Sequence, residues 1–67
     1  MEFKLHDDYI ELYKLIKVLG LVDSGADAKQ IIADGHVRRN GEVELRKRAK
    51  ILQGEIIEIA EVTIKVI

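Results

Sequence analysis

The stretch LGLVDSGADAKQIIADGHVRRNGEVE, residues 19–44, carries the strongest fold signals of this sequence. Gly20 is suited to the left-handed conformation that ends many helices. Ser24 followed three residues later by Asp27 has a capping-box pattern, in which the hydroxyl accepts a hydrogen bond from a backbone N–H of the first helical turn. We therefore expect one helix to end at Gly20 and a second helix to cover residues 26–34.

A β-hairpin is predicted directly after the second helix, which Gly35 ends. Asn40-Gly41 tolerates the positive φ angles of a type I′ turn, and it separates two short segments with strand character. With a two-residue loop, Arg39 would face Glu42 and Arg38 would face Val43. A bulge or a longer loop would shift this register, and the sequence leaves the choice open.

The residues before this stretch predict an edge strand and a first helix. Residues 2–6 alternate polar and apolar side chains, as a short strand does. Asp8 followed by Glu11 has the form of a capped helix start, and residues 9–19 place apolar side chains at helical spacing. We expect a helix over 9–19 that is mostly buried.

The residues after the hairpin predict a basic loop and two further strands. Residues 46–50 are too basic for a core strand, while Ala49 and Ile51 are expected to turn inward. Residues 55–60 and 62–67 alternate in hydrophobicity and should pair through a turn. The sequence therefore predicts an α+β fold, in which two helices pack on a small, mainly antiparallel sheet.

Positive charge is concentrated in residues 35–50. This segment has six basic residues and two acidic ones, a local net charge of +4, whereas the whole chain has a formal net charge of -1. A positive patch on an otherwise acidic body attracts a polyanion, and nucleic acid is the first such partner to consider. The basic residues are Arg38, Arg39, Arg46, Lys47, Arg48 and Lys50.

Length and composition exclude several other classes of protein. A chain of 67 residues without Cys forms one domain, 1–67, with no disulfide and little room for a substrate pocket. It has neither the apolar run of a signal peptide nor the roughly 20 apolar residues of a membrane span. We expect a cytoplasmic protein, monomeric, without a membrane or small-molecule partner.

No catalytic, cofactor or metal site is predicted. Ser24 has no accompanying Ser-His-Asp constellation, and the adjacent acids Asp7 and Asp8 have no partner base. His6 and His36 lack metal-ligand spacing. Because no phosphate-binding Gly-rich pattern is present either, the expected function is binding, not catalysis.

The motifs in residues 15–59 resemble the RNA-binding domain of small-ribosomal-subunit protein four, the S-four (S4) domain or alpha-L motif. The most specific similarity lies in residues 24–32 and 35–41, which match the family patterns Ser-x-x-x-Glu-Ala-Arg-x-x-Ile and Gly-x-Val-x-Val-Asn-Gly approximately. Residues 44–51 resemble short bacterial members that consist of this domain alone. The resemblance implies the two-helix alpha-L fold and RNA binding through the second helix and the hairpin.

Three departures from the family pattern affect the expected contacts. Asp27 and Lys29 replace Glu and Arg while keeping the charge, and Arg39 replaces a second Val. The positions that the resemblance implies for RNA contact are Lys29, Arg38, Arg39, Arg46, Lys47 and Arg48. The residues themselves add Gln30, His36, Asn40 and Lys50 as candidate contacts, through hydrogen bonds or charge.

The few aromatic residues suggest how RNA would be recognised. Phe3, Tyr9 and Tyr13 are remote in sequence from the basic residues and are expected to be buried, so base stacking on them is not predicted. Contacts to phosphates of structured RNA, such as ribosomal or transfer RNA, are favoured instead. The alternative is a protein-interaction adaptor that uses the basic face or an exposed sheet edge, at residues 2–6 or 62–67.

Overall fold

Two helices pack against one face of a five-stranded sheet in the computed structural model, which describes residues 1–67. A second, two-stranded sheet lies at the start of the first helix. Both helices are too short and too polar to cross a membrane. The elements are β1 (Glu2–Phe3), β2 (Ile10–Glu11), α1 (Leu12–Val18), α2 (Gly25–Ala33), β3 (Val37–Arg39), β4 (Glu42–Val43), β5 (Lys50–Ile51), β6 (Ile56–Ile59) and β7 (Val62–Val66).

The large sheet has the strand order β1-β7-β6-β3-β4, and only the pairing of β1 with β7 is parallel. The predicted α+β class with a mainly antiparallel sheet is confirmed. The edge strands are β1 and β4, so of the two alternative sheet edges expected, the one at residues 2–6 is confirmed for Glu2–Phe3 and the one at residues 62–67 was wrong. The N-terminal strand β1 pairs with β7, so β7 lies between β1 and β6 and is not an edge strand.

A single apolar core joins the helices to the sheet. Alternation along the strands places Ile57 and Ile64 on the face that meets the helices, where they pair directly across β6 and β7. Burying such aliphatic side chains contributes about 1.5–3 kcal/mol each, so this core is the main source of stability. The largest fully buried side chains are Leu12, Leu15, Ile16, Ile32, Val37, Ile51, Ile57, Ile64 and Val66.

Helix α1 begins three residues later than the sequence predicted. Ile10 and Glu11 form β2 and pair with β5, and Glu11 makes no side-chain capping bond. The first free amides of the helix donate instead to backbone carbonyls of the basic loop, from Leu12 to Ala49 (3.0 Å) and from Tyr13 to Lys47 (3.0 Å). The capping prediction for residues 8–11 was wrong because a distant segment satisfies these amides.

The predicted cap of helix α2 is confirmed. The Ser24 hydroxyl accepts a hydrogen bond from the backbone N–H of Asp27 (3.1 Å). The helix ends before Gly35, whose φ of 84° lies in the left-handed region. Its buried residues Ala28 and Ile32 face the core, which leaves Lys29 and Gln30 toward the surface.

The hairpin has a two-residue loop, which is one of the alternatives that the sequence allowed. Asn40 and Gly41 have φ angles of 52° and 89°, and Arg39 pairs with Glu42 while Arg38 pairs with Val43. Val37 is fully buried and anchors the hairpin, but Val43 is 49% exposed. Val43 is exposed because its strand, β4, lies at the edge of the sheet.

Candidate functional site

The basic loop, residues 46–50, is held in a fixed shape at the start of helix α1. Its carbonyls cap the helix, as described above, and Ala49 donates a backbone hydrogen bond to Arg46 (3.2 Å). Ala49 is 5% exposed, and the following Ile51 is fully buried. The expected inward turn at these two residues is confirmed. The side chains of Lys47, Arg48 and Lys50 are thus presented from a rigid backbone.

Tyr13 on α1 brings cations from three parts of the chain together. The Lys29 Nζ of α2 lies 4.8 Å from the centre of its ring, and the Arg48 Cζ of the basic loop lies 5.9 Å from it. The Lys14 Nζ lies 5.9 Å away. The face of an aromatic ring carries a partial negative charge that attracts cations. The ring therefore offsets part of the repulsion between these like charges.

Close approach of the second helix makes this arrangement possible. A Cβ atom placed on Gly25, the first residue of α2, would lie 3.8 Å from the Tyr13 ring. This is an ordinary contact distance, so the helix starts directly beside the ring, one turn before Lys29. Glu11 supports the same cluster from the other side, since its carboxylate lies 3.3 Å from Lys14 Nζ and 3.8 Å from Arg48 Nε.

Tyr9 is the second tyrosine next to the basic loop. It is 42% exposed, and the Lys50 Nζ lies 5.0 Å from the centre of its ring. The expectation that the aromatics are buried was thus wrong for Tyr9, whereas Tyr13 is partly buried. Both tyrosines are remote from the basic residues in sequence but lie beside them in the fold. Pairing of β2 with β5 brings these tyrosines to the loop. We call the set Lys29, Lys47, Arg48 and Lys50, with Tyr9 and Tyr13, the basic surface.

Arg39 belongs to a different arrangement. Its guanidinium donates two hydrogen bonds to the Glu55 carboxylate, from Nε (3.1 Å) and from Nη2 (2.8 Å). It also donates from Nη1 to Glu44 Oε1 (3.3 Å) and from Nη2 to the Lys50 carbonyl (2.9 Å). Only 20% of this side chain is exposed. Arg39 therefore joins the hairpin to the ends of β5 and β6.

Arg46 also binds Glu44 and thereby completes this arrangement. Its Nε and Nη2 donate to the two Glu44 carboxylate oxygens at 3.1 and 3.0 Å, and its backbone N–H donates at 3.1 Å. The Arg46 side chain is itself 74% exposed, whereas that of Glu44 is only 10% exposed. We call Arg39, Glu44, Arg46 and Glu55 the ionic network.

The ionic network shifts the pKa values of its members in the direction that keeps all four charged. Hydrogen bonds from Arg46, with a smaller contribution from Arg39, lower the pKa of Glu44 to about 2 against the effect of burial. Burial would raise the pKa of Glu55, but the hydrogen bonds from Arg39 and from the Leu52 N–H outweigh it and lower this pKa. The pKa of Arg39 is raised, chiefly by its hydrogen bonds to Glu55.

Arg38 lies on the opposite face of the sheet. Neighbouring residues of a strand point to opposite faces, and Val37 and Arg39 share the face that meets the core and the ionic network. Arg38 is exposed and lies opposite Glu58 of the neighbouring strand β6. It donates a hydrogen bond to the Gly41 carbonyl (3.3 Å). The structure thus separates two adjacent arginines that the sequence analysis assigned to one patch.

The remaining predicted contact residues lie around the hairpin and helix α2. Asn40 uses its side-chain oxygen to accept a hydrogen bond from the Ile56 N–H (2.9 Å), which joins the turn to β6. Gln30 donates to Asp34 on the same helix (2.9 Å), and His36 is exposed between α2 and β3. Neither residue contacts a member of the basic surface through a side-chain hydrogen bond. No group of three or more His, Cys, Asp or Glu side chains is arranged to hold a metal ion.

The residues that hold the two clusters together were not predicted from the sequence. They are Glu44 and Glu55 in the ionic network and Tyr9 and Tyr13 in the basic surface. Strand alternation contained one usable signal, because an inward Val37 implies an inward Arg39, which then requires acidic partners. The tyrosines gave no comparable signal. Their position depends on the pairing of β2 with β5, two segments that are separated by almost forty residues.

Comparisons with known proteins agree with this architecture. The family model described as S4 domain matches residues 3–67. YbcJ of Escherichia coli (strain K12) is 42% identical over 59 residues, which cover 88% of this chain and 84% of YbcJ, and YbcJ of Shigella flexneri matches equally.

Two solved structures share the fold. The solution structure of Escherichia coli YbcJ, described as revealing an alpha-L motif involved in RNA binding, superposes with a TM-score of 0.76 at 40% identity, covering 98% of this chain and 85% of that one. The crystal structure of 30S ribosomal protein S4e from Thermoplasma acidophilum superposes with a TM-score of 0.70 at 28% identity, covering 85% of this chain and 30% of that one.

Proposed function

The chain belongs to the S4 domain family, and we propose that it is a non-catalytic RNA-binding protein that recognises structured RNA through the basic surface. The observation that carries this proposal is the position of Lys29 and Arg48 over the same ring, that of Tyr13. It unites the second helix and the basic loop in one cationic surface. Neither element alone presents more than a few charges.

The rigidity of the basic surface favours structured RNA as the ligand. The loop backbone is fixed by the hydrogen bonds to α1, and the side chains at positions 29 and 48 are gathered at one ring. A fixed set of cations matches a fixed set of phosphates better than a flexible strand, and phosphate contacts position a protein without reading sequence. The described involvement of the YbcJ motif in RNA binding supports RNA as the partner, and the likeness to a 30S ribosomal protein supports ribosomal RNA as a candidate beside transfer RNA.

The ten candidate residues have different roles in this proposal. Lys29, Lys47, Arg48 and Lys50 contact phosphates directly. Arg39 and Asn40 act indirectly by fixing the hairpin, because their side chains are held by Glu55 and by the Ile56 amide. Residues at the periphery of this footprint, which add weaker contacts, are Gln30, His36 and Arg46. Arg38 lies on the opposite face of the sheet and is not assigned a contact.

A salt titration tests the proposal. If four to six phosphates are neutralised, a plot of log K against log salt for a hairpin RNA should have a slope of roughly -3 to -5. Fluorescence anisotropy of a labelled hairpin RNA at several salt concentrations measures this slope. A flat response would contradict ionic RNA binding.

A pair of matched double variants tests the location of the contacts. Reversing Lys47 and Arg48 to Glu should abolish hairpin binding, because both side chains are exposed on the basic loop. The melting temperature should fall by only a few degrees, because Arg48 is 71% exposed and gives up only a loose ion pair with Glu11 (3.8 Å). Reversing Lys4 and Lys65 to Glu changes the net charge equally outside the basic surface and should leave most of the binding intact. Equal losses in the two variants would contradict the assigned surface. Arg46 is unsuitable for this test, because a Glu there would face Glu44.

A further inference from the structure

Tyr9 is a large aromatic residue that contributes nothing to the core. Its neighbours Ile10 and Leu12 pack in the core or against it, but Tyr9 does not, and it remains 42% exposed. Its position is nevertheless fixed. The adjoining strand β2 pairs with β5, and Lys50 of β5 lies over the Tyr9 ring.

Tyr9 also lies between a basic part and an acidic part of the surface. On one side it borders the basic loop through Lys50. On the other it lines an open depression that Lys50 does not line. The residues of this depression are His6, Asp7, Asp8, Tyr9, Ile10, Glu11 and Lys14.

The depression repels phosphates but suits a nucleobase. Three carboxylates line it against one lysine, so a phosphate entering it would meet like charge. A base is uncharged, and the amino groups of adenine, cytosine and guanine donate hydrogen bonds of the kind that carboxylates accept. If the phosphate of a nucleotide lies at Lys50, its base can therefore extend past Tyr9 into the depression while its backbone stays outside.

We propose that Tyr9 stacks on an unpaired base of the bound RNA, so that the protein prefers structured RNA in which an unpaired nucleotide adjoins a duplex. This inference rests on the proposed function and specifies the class of RNA. Every base has a face that can stack on an aromatic ring. The exposed Tyr9 has one cation at its ring, whereas the partly buried Tyr13 has three. Tyr13 does not take this role, because Lys29 and Arg48 lie over its ring and α2 begins at its edge.

Two hairpin RNAs provide the test: both are closed by the same compact loop, whose bases stack on one another within the loop, and they differ by one unpaired adenosine in the stem. The wild-type protein should bind the hairpin with the unpaired adenosine more tightly, and Tyr9→Ala should lose about 5- to 150-fold in affinity for it, the range measured for loss of one stacked base. The affinity of Tyr9→Ala for the fully paired hairpin should fall by no more than a few-fold, because this variant loses only the ring that attracts Lys50, so the preference between the two hairpins should disappear. Tyr9→Phe keeps the ring and should retain the preference.

A direct readout places a fluorescent adenine analogue at the unpaired position. Its fluorescence should be quenched on binding to the wild-type protein and to Tyr9→Phe, but not to Tyr9→Ala. Because Tyr9 lies outside the core, the melting temperature of each variant should match that of the wild type, which excludes unfolding as a cause.

The outcomes separate this inference from the proposed function. If the wild-type protein binds neither hairpin, both are overturned. If it binds both hairpins equally, or if Tyr9→Ala weakens both to the same extent or keeps the quenching, base stacking is overturned and RNA binding through the basic surface stands.

Discussion

The ionic network and the basic surface are built from neighbouring basic residues that the chain uses in opposite ways. In the network, Arg39 and Arg46 are hydrogen-bonded to carboxylates at 2.8–3.3 Å. In the basic surface, Lys50 and Arg48 lie over tyrosine rings at 5.0 and 5.9 Å. A carboxylate neutralises a cation, whereas a ring only attracts it.

The difference between these partners determines which charges remain available to a ligand. Two arginines and two glutamates make the ionic network neutral overall, so it adds little to the field that an approaching polyanion meets. The cations at the tyrosine rings are only partly neutralised, because the single carboxylate near them, Glu11, is shared by Lys14 (3.3 Å) and Arg48 (3.8 Å), and the Arg48 side chain is 71% exposed. Counting basic residues in residues 35–50 therefore overstates the local positive charge, and it omits Lys29, which joins the basic surface from helix α2.

The largest effect is expected from removing the centre of the ionic network. Arg39→Met keeps the length of the side chain but leaves Glu55 without its bidentate partner in a half-buried position. Breaking such a pair should lower the free energy of unfolding by about 3 kcal/mol. For a domain of this size the melting temperature should fall by about 10–25 °C, which circular dichroism measures.

Arg46→Met is the matched control for this variant. Arg46 contacts the same Glu44, but its side chain is 74% exposed, so its loss should cost no more than about 1 kcal/mol. The salt slope of RNA binding should stay the same in Arg39→Met at a temperature where it is folded. A stable Arg39→Met protein that no longer binds RNA would reverse the roles assigned to the two clusters.

Glu44→Gln should show the next largest effect, and it should change the response to acid. Loss of hydrogen bonds to charged groups should cost about 2 kcal/mol at neutral pH. The pKa of Glu44 is about 2 in the folded protein, below its usual 4.5. A carboxylate with a lowered pKa stabilises the fold above the higher value, and this contribution is lost as the pH falls from 4.5 toward 2.

Urea unfolding at a series of pH values measures this prediction. The difference in stability between wild type and Glu44→Gln should shrink through that pH range. Glu42→Gln is the control, because Glu42 is exposed and makes no ion pair, so its stability should stay within about 0.5 kcal/mol of wild type. A difference between wild type and Glu44→Gln that is independent of pH would contradict the proposed charge on Glu44.

Neutralising the basic surface should affect binding far more than stability, because Arg48 gives up only exposed contacts with Tyr13 and Glu11. Lys47→Gln combined with Arg48→Gln removes two cations and should reduce the magnitude of the salt slope by about 2. If each contact follows the counterion relation up to 1 M salt, affinity at 0.15 M should fall about 10- to 30-fold. A lower melting temperature with an unchanged slope would assign these residues to the fold instead of the ligand.

The sequence predicted the elements whose signals are local. Ser24, Gly35 and the Asn40-Gly41 turn each determine backbone geometry through their own chemistry, and all three lie where they were expected. The start of helix α1 could not be predicted in this way. Its amides are satisfied by carbonyls at positions 47 and 49, and no pattern within residues 8–11 shows that such partners exist.

The candidate site shows the same difference between what local signals predict and what long-range contacts determine. Local charge identified the basic loop, but its division into paired and available cations depends on long-range contacts. Arg39 is paired because Glu55 lies beside it at a separation of sixteen residues, and Tyr9 is useful because Lys50 lies over it. Both contacts follow from strand pairing, which residue patterns within a single segment do not determine.

The smallest effect, and the finest test of the comparison, is expected from Tyr13→Leu. Leu preserves apolar packing beside α1 and Gly25 but removes the ring that attracts Lys29 and Arg48. Loss of exposed cation–π contacts should reduce stability by about 1 kcal/mol. RNA affinity should fall by only a few-fold, because the cations must then be brought together against their mutual repulsion.

The salt slope separates this positioning role from direct contact. All the cations remain in Tyr13→Leu, so the slope should equal that of the wild type even though affinity is lower. Tyr13→Phe keeps the ring and should restore both stability and affinity. A slope reduced as much as in the Lys47 and Arg48 variant would mean that the cations no longer reach the phosphates without the ring, and Tyr13 would then determine whether the basic surface exists at all.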